Sequence, residues 1–426
     1  MGTANLWILN GVWYMRCFRP SGAIRRVCVA LAATSLLALT ACSGAPSANA
    51  SDDVDGDKKN VNQSEPSPTP SAPPLTVAVT PADKATGVVT SADIGVTTVG
   101  TVEQVTVTGA DGKPVPGALA TDGKTWRPGV QLAYGAKYSV AVKAKSPAEE
   151  KTLTSTFTTM AKPSTNNITG ADLYFADGDT VGVAMPLVVE FTRTIPQAQR
   201  AAVERRLFVT STPVAEGSWH WFSGSEVHYR PKVYWPVGTK ISVRAAIGGL
   251  PMGAGKFGKR DRVANITVGS SVISKVNNAA HNMTVYKDGV LIRTMPVSLG
   301  KRSSPTSSGH HVVMEKKPEA WFDSTTFGLD KDAPGGYRKK VFWDVRFTWG
   351  GEFTHAAPWS VGDQGKRNVS HGCVNLSPSN ARWFYDLSKK GDVIEVIGTE
   401  RKVKPGDGWT DWNLTWEQYV AGSALR

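Results

Sequence analysis

A mostly β protein is predicted for this 426-residue chain, built as two β-sandwiches, a β-rich unit and a short C-terminal tail. Three observations carry the prediction. Short alternating runs such as Val105-Thr-Val-Thr and Tyr138-Ser-Val-Ala-Val, punctuated by glycine and proline, fill the chain from Leu75 onward without a long helical period. A motif also recurs: Arg127, Pro128, Val130, Gly135, Lys137, Ser139 and Val140 return as Arg230, Pro231, Val233, Gly238, Lys240, Ser242 and Val243, with Trp126 matched by Tyr229, all at an offset of 103 residues. Finally, the length exceeds one ordinary core, at roughly 100–200 residues per domain. Hydrophobic content of 41% and charged content of 20% are globular values, so disorder is confined to local segments.

Residues 1–42 read as an export signal. Arg16, Arg19, Arg25 and Arg26 precede an apolar run from Val27 to Leu39 that is too short to cross a bilayer as a helix. Residues 1–14 are uncharged, and Met15 is the expected start. The run ends in Leu39-Thr40-Ala41-Cys42, which resembles a bacterial lipobox, so Cys42 is the expected lipidation site and the protein is expected at the outer face of the cell membrane, in the periplasm or cell wall. Of four cysteines, Cys17 and Cys28 leave with such a signal, and the mature chain keeps one unlipidated thiol, Cys373. A lone exported thiol forms no internal disulfide; it is a buried hydrophobe or a nucleophile. The net charge of +12 suits an anionic wall or membrane surface, and export excludes nucleic acid as a partner.

Residues 43–74, acidic and then proline-rich, read as a disordered tether. Residues 75–161 and 162–269 are expected to form the two sandwiches, immunoglobulin-like in size. Residues 270–398 read as a separate unit: Asp288-Gly289 marks a tight hairpin, Ser377-Pro378 caps a helix bearing Trp383, Phe384 and Leu387 and ending near Gly391, and Val393-Ile-Glu-Val-Ile is a closing strand. In the tail, 399–426, Trp409, Trp412 and Trp416 are spaced to share one helical stripe that packs on a neighbouring domain.

The chemistry concentrates in Ser370-His371-Gly372-Cys373-Val374-Asn375, with His355 eighteen residues before the cysteine. A thiol attacks as thiolate, and at a free pKa of roughly 8.5 it needs a base beside it. Histidine suits that task, and His355 is the expected base, with His371 as the alternative. Glycine before the cysteine allows close backbone approach, making the N–H groups of Gly372 and Cys373 candidate oxyanion donors. His310-His311 is read as a strand pair and Lys301-Arg302 as a solvated loop. No metal-ligand spacing, phosphate loop or cofactor motif is present, and no cofactor is expected.

This segment resembles the signature of the L,D-transpeptidase family, a histidine upstream of Ser/Thr-His-Gly-Cys-x-Asn, closely over about residues 271–398. The layout of lipoprotein signal, tether, two immunoglobulin-like modules, catalytic domain and tryptophan-rich tail resembles actinobacterial members. The resemblance implies that Cys373 is the nucleophile, His355 the base, and the Ala356 carbonyl the group that orients the imidazole. It implies a lid from Trp321 to Tyr337 carrying Tyr337, with Phe322 where relatives often have methionine. Trp359, Ser370, His371 and Asn375 would complete the substrate site. The implied reaction is acyl transfer between peptidoglycan tetrapeptide stems: Cys373 attacks the carbonyl of the third residue, meso-diaminopimelate, expels D-alanine, and passes the acyl group to another stem's third-residue amine. Such enzymes are acylated by carbapenems. Two other readings stay open at this point, an L,D-carboxypeptidase on the same scaffold and a noncatalytic wall-binding lipoprotein.

Overall fold

The computed structural model describes residues 4–9, 12–17 and 74–426, apart from 329 and 335. Ala4–Leu9 pairs with Val12–Cys17 as an antiparallel ribbon. The apolar run of the expected signal, Cys42 and the tether up to residue 73 lie outside the described residues. Among the described residues no helix is long and apolar enough to cross a membrane.

From Val77 the chain lays down eight strands, Val77–Thr80, Ala85–Val88, Ile94–Thr98, Thr101–Gly109, Gly117–Leu119, Thr125–Pro128, Lys137–Lys145 and Glu150–Thr159. Numbered in that order they form two sheets, 1-3-6-5 and 2-8-7-4. Alternation decides which side chains fill the space between: Ile94 and Val96, Val140 and Val142, with Trp126 and Phe157, are buried. The next module repeats the pattern with Ala171–Leu173, Thr180–Val181, Leu187–Phe191, Leu207–Thr212, Gly217–Trp221, Glu226–Pro231, Lys240–Ala245 and Arg262–Val268, again ordered 1-3-6-5 and 2-8-7-4. The sequence repeat marks equivalent elements, since Trp126 and Tyr229 both lie in the sixth strand and Lys137 and Lys240 both open the seventh. One addition is a helix, Gln197–Glu204, between the third and fourth strands of the second module. Only Val203 and Glu204 of that helix are buried, which is why its sequence carries little apolar periodicity.

The C-terminal unit has a six-stranded sheet in the order 290–296, 282–287, 272–277, 393–397, 307–312, 401–402, and a four-stranded sheet of Glu315–Asp323, Arg338–Arg346, Phe353–Ala356 and Val374–Leu376. The Asp288-Gly289 hairpin forms as expected, with φ of +50° and +83°, the left-handed pair that a two-residue turn requires. Ser377 caps the helix Pro378–Leu387 by accepting from the Asn380 N–H. Phe384 on that helix is buried with Val297, Leu299, Val345 and Val374 in the core between the sheets.

Backbone joins this unit to the second module: the Gly182 N–H donates to the Lys390 carbonyl at 2.7 Å and the Ala184 N–H to Gly391 at 3.0 Å. The tail then returns to the second module, though its three tryptophans do not share a helical stripe. Trp409 lies outside any helix, Trp412 is in a 3-10 turn (Asp411–Asn413) and Trp416 begins the helix Trp416–Val420. Their spacing serves a winding strap instead. Trp409 is buried in a core cluster shared by the second module and the C-terminal unit, the Trp412 indole donates to the Ala184 carbonyl at 2.8 Å, and Arg230 lies against Trp412, Trp416 and Tyr419.

Candidate active site

Two parallel strands build the site. Phe353–Ala356 pairs with Val374–Leu376 so that Thr354 faces Val374 and His355 faces Asn375. Continued by one residue, that register sets Cys373 level with Phe353, and strand alternation puts Phe353, His355 and Cys373 on one face. His355 and Cys373 are therefore diagonal neighbours on adjacent strands. The ring of Phe322 covers this face, 4.8 Å from Phe353 and 5.2 Å from His355 between centroids.

His355 is buried, and its Nδ1 lies 2.9 Å from the Ala356 carbonyl. A carbonyl only accepts, so Nδ1 carries the proton and Nε2 is left as acceptor. Burial pushes the imidazole pKa down to about 4, partly offset by that carbonyl. Cys373 is half-buried, its Sγ 3.7 Å from the Gly351 carbonyl. Burial pushes the thiol up to about 12; the Phe353 N–H facing the sulfur pulls it down, while the carboxyls of Glu352 and Asp344 push it further up. The resting pair is thus neutral thiol and neutral imidazole.

The turn before the cysteine is tied down from inside. The Ser370 hydroxyl donates to the Cys373 carbonyl at 2.6 Å and accepts from the Gly372 N–H at 3.1 Å. This corrects one expectation: the Gly372 N–H is engaged by Ser370 and is not directed at an oxyanion, whereas the Cys373 N–H has no acceptor among the described residues. Gly372 instead supplies a φ of +133°, which L side chains rarely adopt. Its carbonyl accepts from Thr306 Oγ at 2.7 Å, and Thr306 is itself held by the Gly300 N–H.

Ser370 and Asn375 were expected to line the substrate site, but both are turned inward. Ser370 spends its hydroxyl on the turn, and Asn375, 2% exposed, donates from Nδ2 to Ser360 Oγ at 3.0 Å. Buried side chains with satisfied partners shape a site rather than touch a ligand. Trp359 behaves differently: half-exposed, it stands 6.0 Å from His355 with Lys339 Nζ over its ring at 4.9 Å. Tyr337 lies 5.5 Å from His371, its phenol pushed up to about 12 by burial and then by Cys373 and Asp323. The expected lid comprises the end of strand Glu315–Asp323, the 3-10 turn Ser324–Phe327 and the segment reaching Tyr337. Ser324 and Tyr337 clasp its base, with the Tyr337 N–H donating to Ser324 Oγ at 2.9 Å.

Several contributors were missed in the sequence. Lys301, read as part of a solvated loop, donates from Nζ to His371 Nε2 at 3.0 Å, which leaves His371 neutral, and burial followed by Lys301 and Lys339 lowers its pKa. Exposed and already occupied, His371 is less suited than His355 to serve as the base. Glu352 is buried behind Gly372 between Ser307 and Arg401. The Phe353 N–H is invisible in any sequence because main-chain donors carry no residue signature. Among the described residues no three His, Cys, Asp or Glu side chains are grouped to hold a metal.

Residues 85–251 match the model of a bacterial Ig domain, and residues 271–396 that of the L,D-transpeptidase catalytic domain. The chain is 38% identical over 354 residues to L,D-transpeptidase 2 of Mycobacterium tuberculosis, covering 83% of this chain and 85% of that protein. It is 36% identical over 367 residues to L,D-transpeptidase 5 of the same species, covering 84% and 78%. A solved structure of the LD transpeptidase LdtMt1 in complex with imipenem is 37% identical, with a TM-score of 0.46 over 54% of this chain and 99% of that one.

Proposed function

The chain belongs to the L,D-transpeptidase family, and on that premise we propose the following course for its reaction. It is an enzyme of peptidoglycan cross-linking. His355 Nε2 takes the proton from Cys373 Sγ, and the sulfur attacks the third-residue carbonyl of a tetrapeptide stem, meso-diaminopimelate. The Cys373 N–H receives the developing oxyanion, a donor role that is worth several kcal/mol in related acyl transfers. The proton on His355 passes to the departing D-alanine nitrogen, leaving a thioester. The side-chain amine of a second stem then attacks that thioester, gives its proton to His355 and regenerates the thiol. The Ala356 carbonyl keeps Nδ1 protonated throughout, so Nε2 remains the exchanging atom.

The observation that carries this reading is the pairing of strands 353–356 and 374–376, which sets His355 and Cys373 on one face. Tyr337, Phe322 and Trp359 frame the donor site under it, with His371 at its rim. A carbapenem carbonyl presented in the same place would acylate Cys373. We further propose that export and acylation of Cys42 hold the enzyme at the outer face of the membrane, with residues 43–74 as tether and the sandwiches as spacers; the leader composition supports this.

The test is incubation of the purified chain with tetrapeptide muropeptides. Cross-linked dimer with released D-alanine is expected, and tripeptide alone would instead indicate carboxypeptidase activity. Cys373→Ala is expected to lower turnover by about 10⁴-fold or more and to abolish the carbapenem mass adduct. Retention of both would return the chain to a noncatalytic wall-binding role.

A further inference from the structure

Asp344 is a buried acid beside the site that the reaction above does not use, as is Glu352, but unlike Glu352 it has no ion-pair partner across a short contact among the described residues. It is 1% exposed, and among the described residues neither carboxyl oxygen has a hydrogen-bond partner. Unpartnered buried carboxyls are rare because desolvation is costly, and they persist where something else is gained. The backbone leading to it is unusual too: Trp343 has a φ of +61°, a left-handed conformation that a bulky residue in a strand seldom adopts. The Trp343 ring is held by Tyr385 and Arg382 of the helix 378–387.

Register locates the carboxyl. Strand Arg338–Arg346 pairs antiparallel with Phe353–Ala356 through Val345 with Thr354 and Arg346 with Phe353. Continued by one residue, Asp344 stands across from His355, on the same face. Cys373 lies one strand further on and two residues out of line with His355. By strand register the Asp344 backbone is therefore nearer that of His355 than that of Cys373, and a charge placed level with the imidazole attracts an imidazolium more than it repels a thiolate one strand further away.

We propose that Asp344 is a positioning residue for the nucleophile and base: as a carboxylate across the sheet from His355, it stabilises the imidazolium formed when Cys373 gives up its proton. In that step the S–H bond breaks and an Nε2–H bond forms; Asp344 exchanges no proton. The inference rests on the assignment of Cys373 and His355 made above. The ionisable groups around Asp344 are Lys317, opposite it in the neighbouring strand, His355, Cys373 and Glu352 on the site side, and Arg382 with Asp386, which pair with each other on the helix. Burial raises the Asp344 carboxyl to about 7, with Lys317 opposing, so it is protonated in acid and charged above neutrality.

Asparagine mimics the protonated form, which makes the test specific. Alkylation of Cys373 by iodoacetamide, a neutral reagent, is followed by intact mass from pH 5.5 to 9 in the full chain. Wild type and Asp344→Asn are expected to coincide at pH 5.5 and to separate above pH 7.5, the variant being slower by about tenfold. Coincidence at every pH, a faster variant, or an equal loss at every pH would overturn the proposal, the last by indicating a purely structural role. Absence of alkylation in the wild type would instead undo the nucleophile assignment. Should Asp344→Asn not fold, Lys317→Met leaves the carboxyl in place; the rise in alkylation is then expected at higher pH, and an unmoved rise rejects the proposal.

Discussion

At position 372 a methyl group would find room, its nearest neighbour being Glu352 Oε1 at 3.6 Å, yet the φ of +133° forbids it. Gly372→Ala is therefore expected to act through backbone strain. A displacement of about 1 Å at the sulfur costs on the order of 10²-fold in rate, so turnover on muropeptides should fall by about that factor while the global unfolding midpoint moves little. Cys373, His355 and this glycine could be singled out in the sequence because they lie within nineteen residues and because each residue type has one chemical use there. Ser370 and Asn375 were legible as members of the site but not in their roles, since a sequence does not say which way a hydroxyl or amide turns. Asp344, Glu352 and Lys301 were not legible at all. Their meaning comes from which strands lie side by side, and an acid in an alternating strand ordinarily faces solvent.

Among elements, the hairpin at Asp288-Gly289 and the helix from Pro378 were set by local chemistry, and both formed where turn and cap residues predicted. The tail has its expected helix only from Trp416 to Val420, and the three tryptophans do not share a stripe because a spacing of three and four also fits a strap whose turns are broken by contacts to another domain. Tyr419 anchors that strap. Fully buried, its hydroxyl donates toward Asp411 Oδ1 and the His228 carbonyl, each at 3.0 Å. Tyr419→Phe keeps the ring and removes those bonds, leaving a buried acceptor short of a partner. A loss of about 1–3 kcal/mol is expected in denaturant unfolding, with kcat on muropeptides unchanged; a change in kcat without loss of stability would count against a purely structural strap.

The strap also makes the stability of the molecule depend on pH. His228 of the second module is 1% exposed, with both Asp411 carboxylate oxygens 3.0 Å from Nδ1 and Glu226 Oε1 2.7 Å from Nε2. Burial alone would lower its pKa, but the two carboxylates prevail and raise it to about 10. The unfolded value is about 6.5. Because the folded value is the higher, this stabilisation is complete below about pH 6.5 and is lost as pH rises through about 10. The melting temperature is expected to fall between pH 7 and 10.5, and Asp411→Asn should start lower at pH 7 and fall less steeply. Parallel slopes for the two proteins would exclude the pair as the cause. At this scale the sequence repeat predicted two copies of one module, and their identical strand orders follow from it. It did not predict the strap, which joins residues some 180–220 positions apart.

The junction at Gly182 and Gly391 has a mechanical consequence. An added Cβ on Gly182 would come within 2.2 Å of the Gly391 carbonyl carbon, so the two main chains touch with no side-chain cushion. With hydrogen bonds on either side of that contact, a torque applied to the second sandwich is delivered to the thiol-bearing unit without a swivel to absorb it. The second sandwich and the thiol-bearing unit therefore meet main chain to main chain, and a side chain of any size at either glycine would have to push them apart.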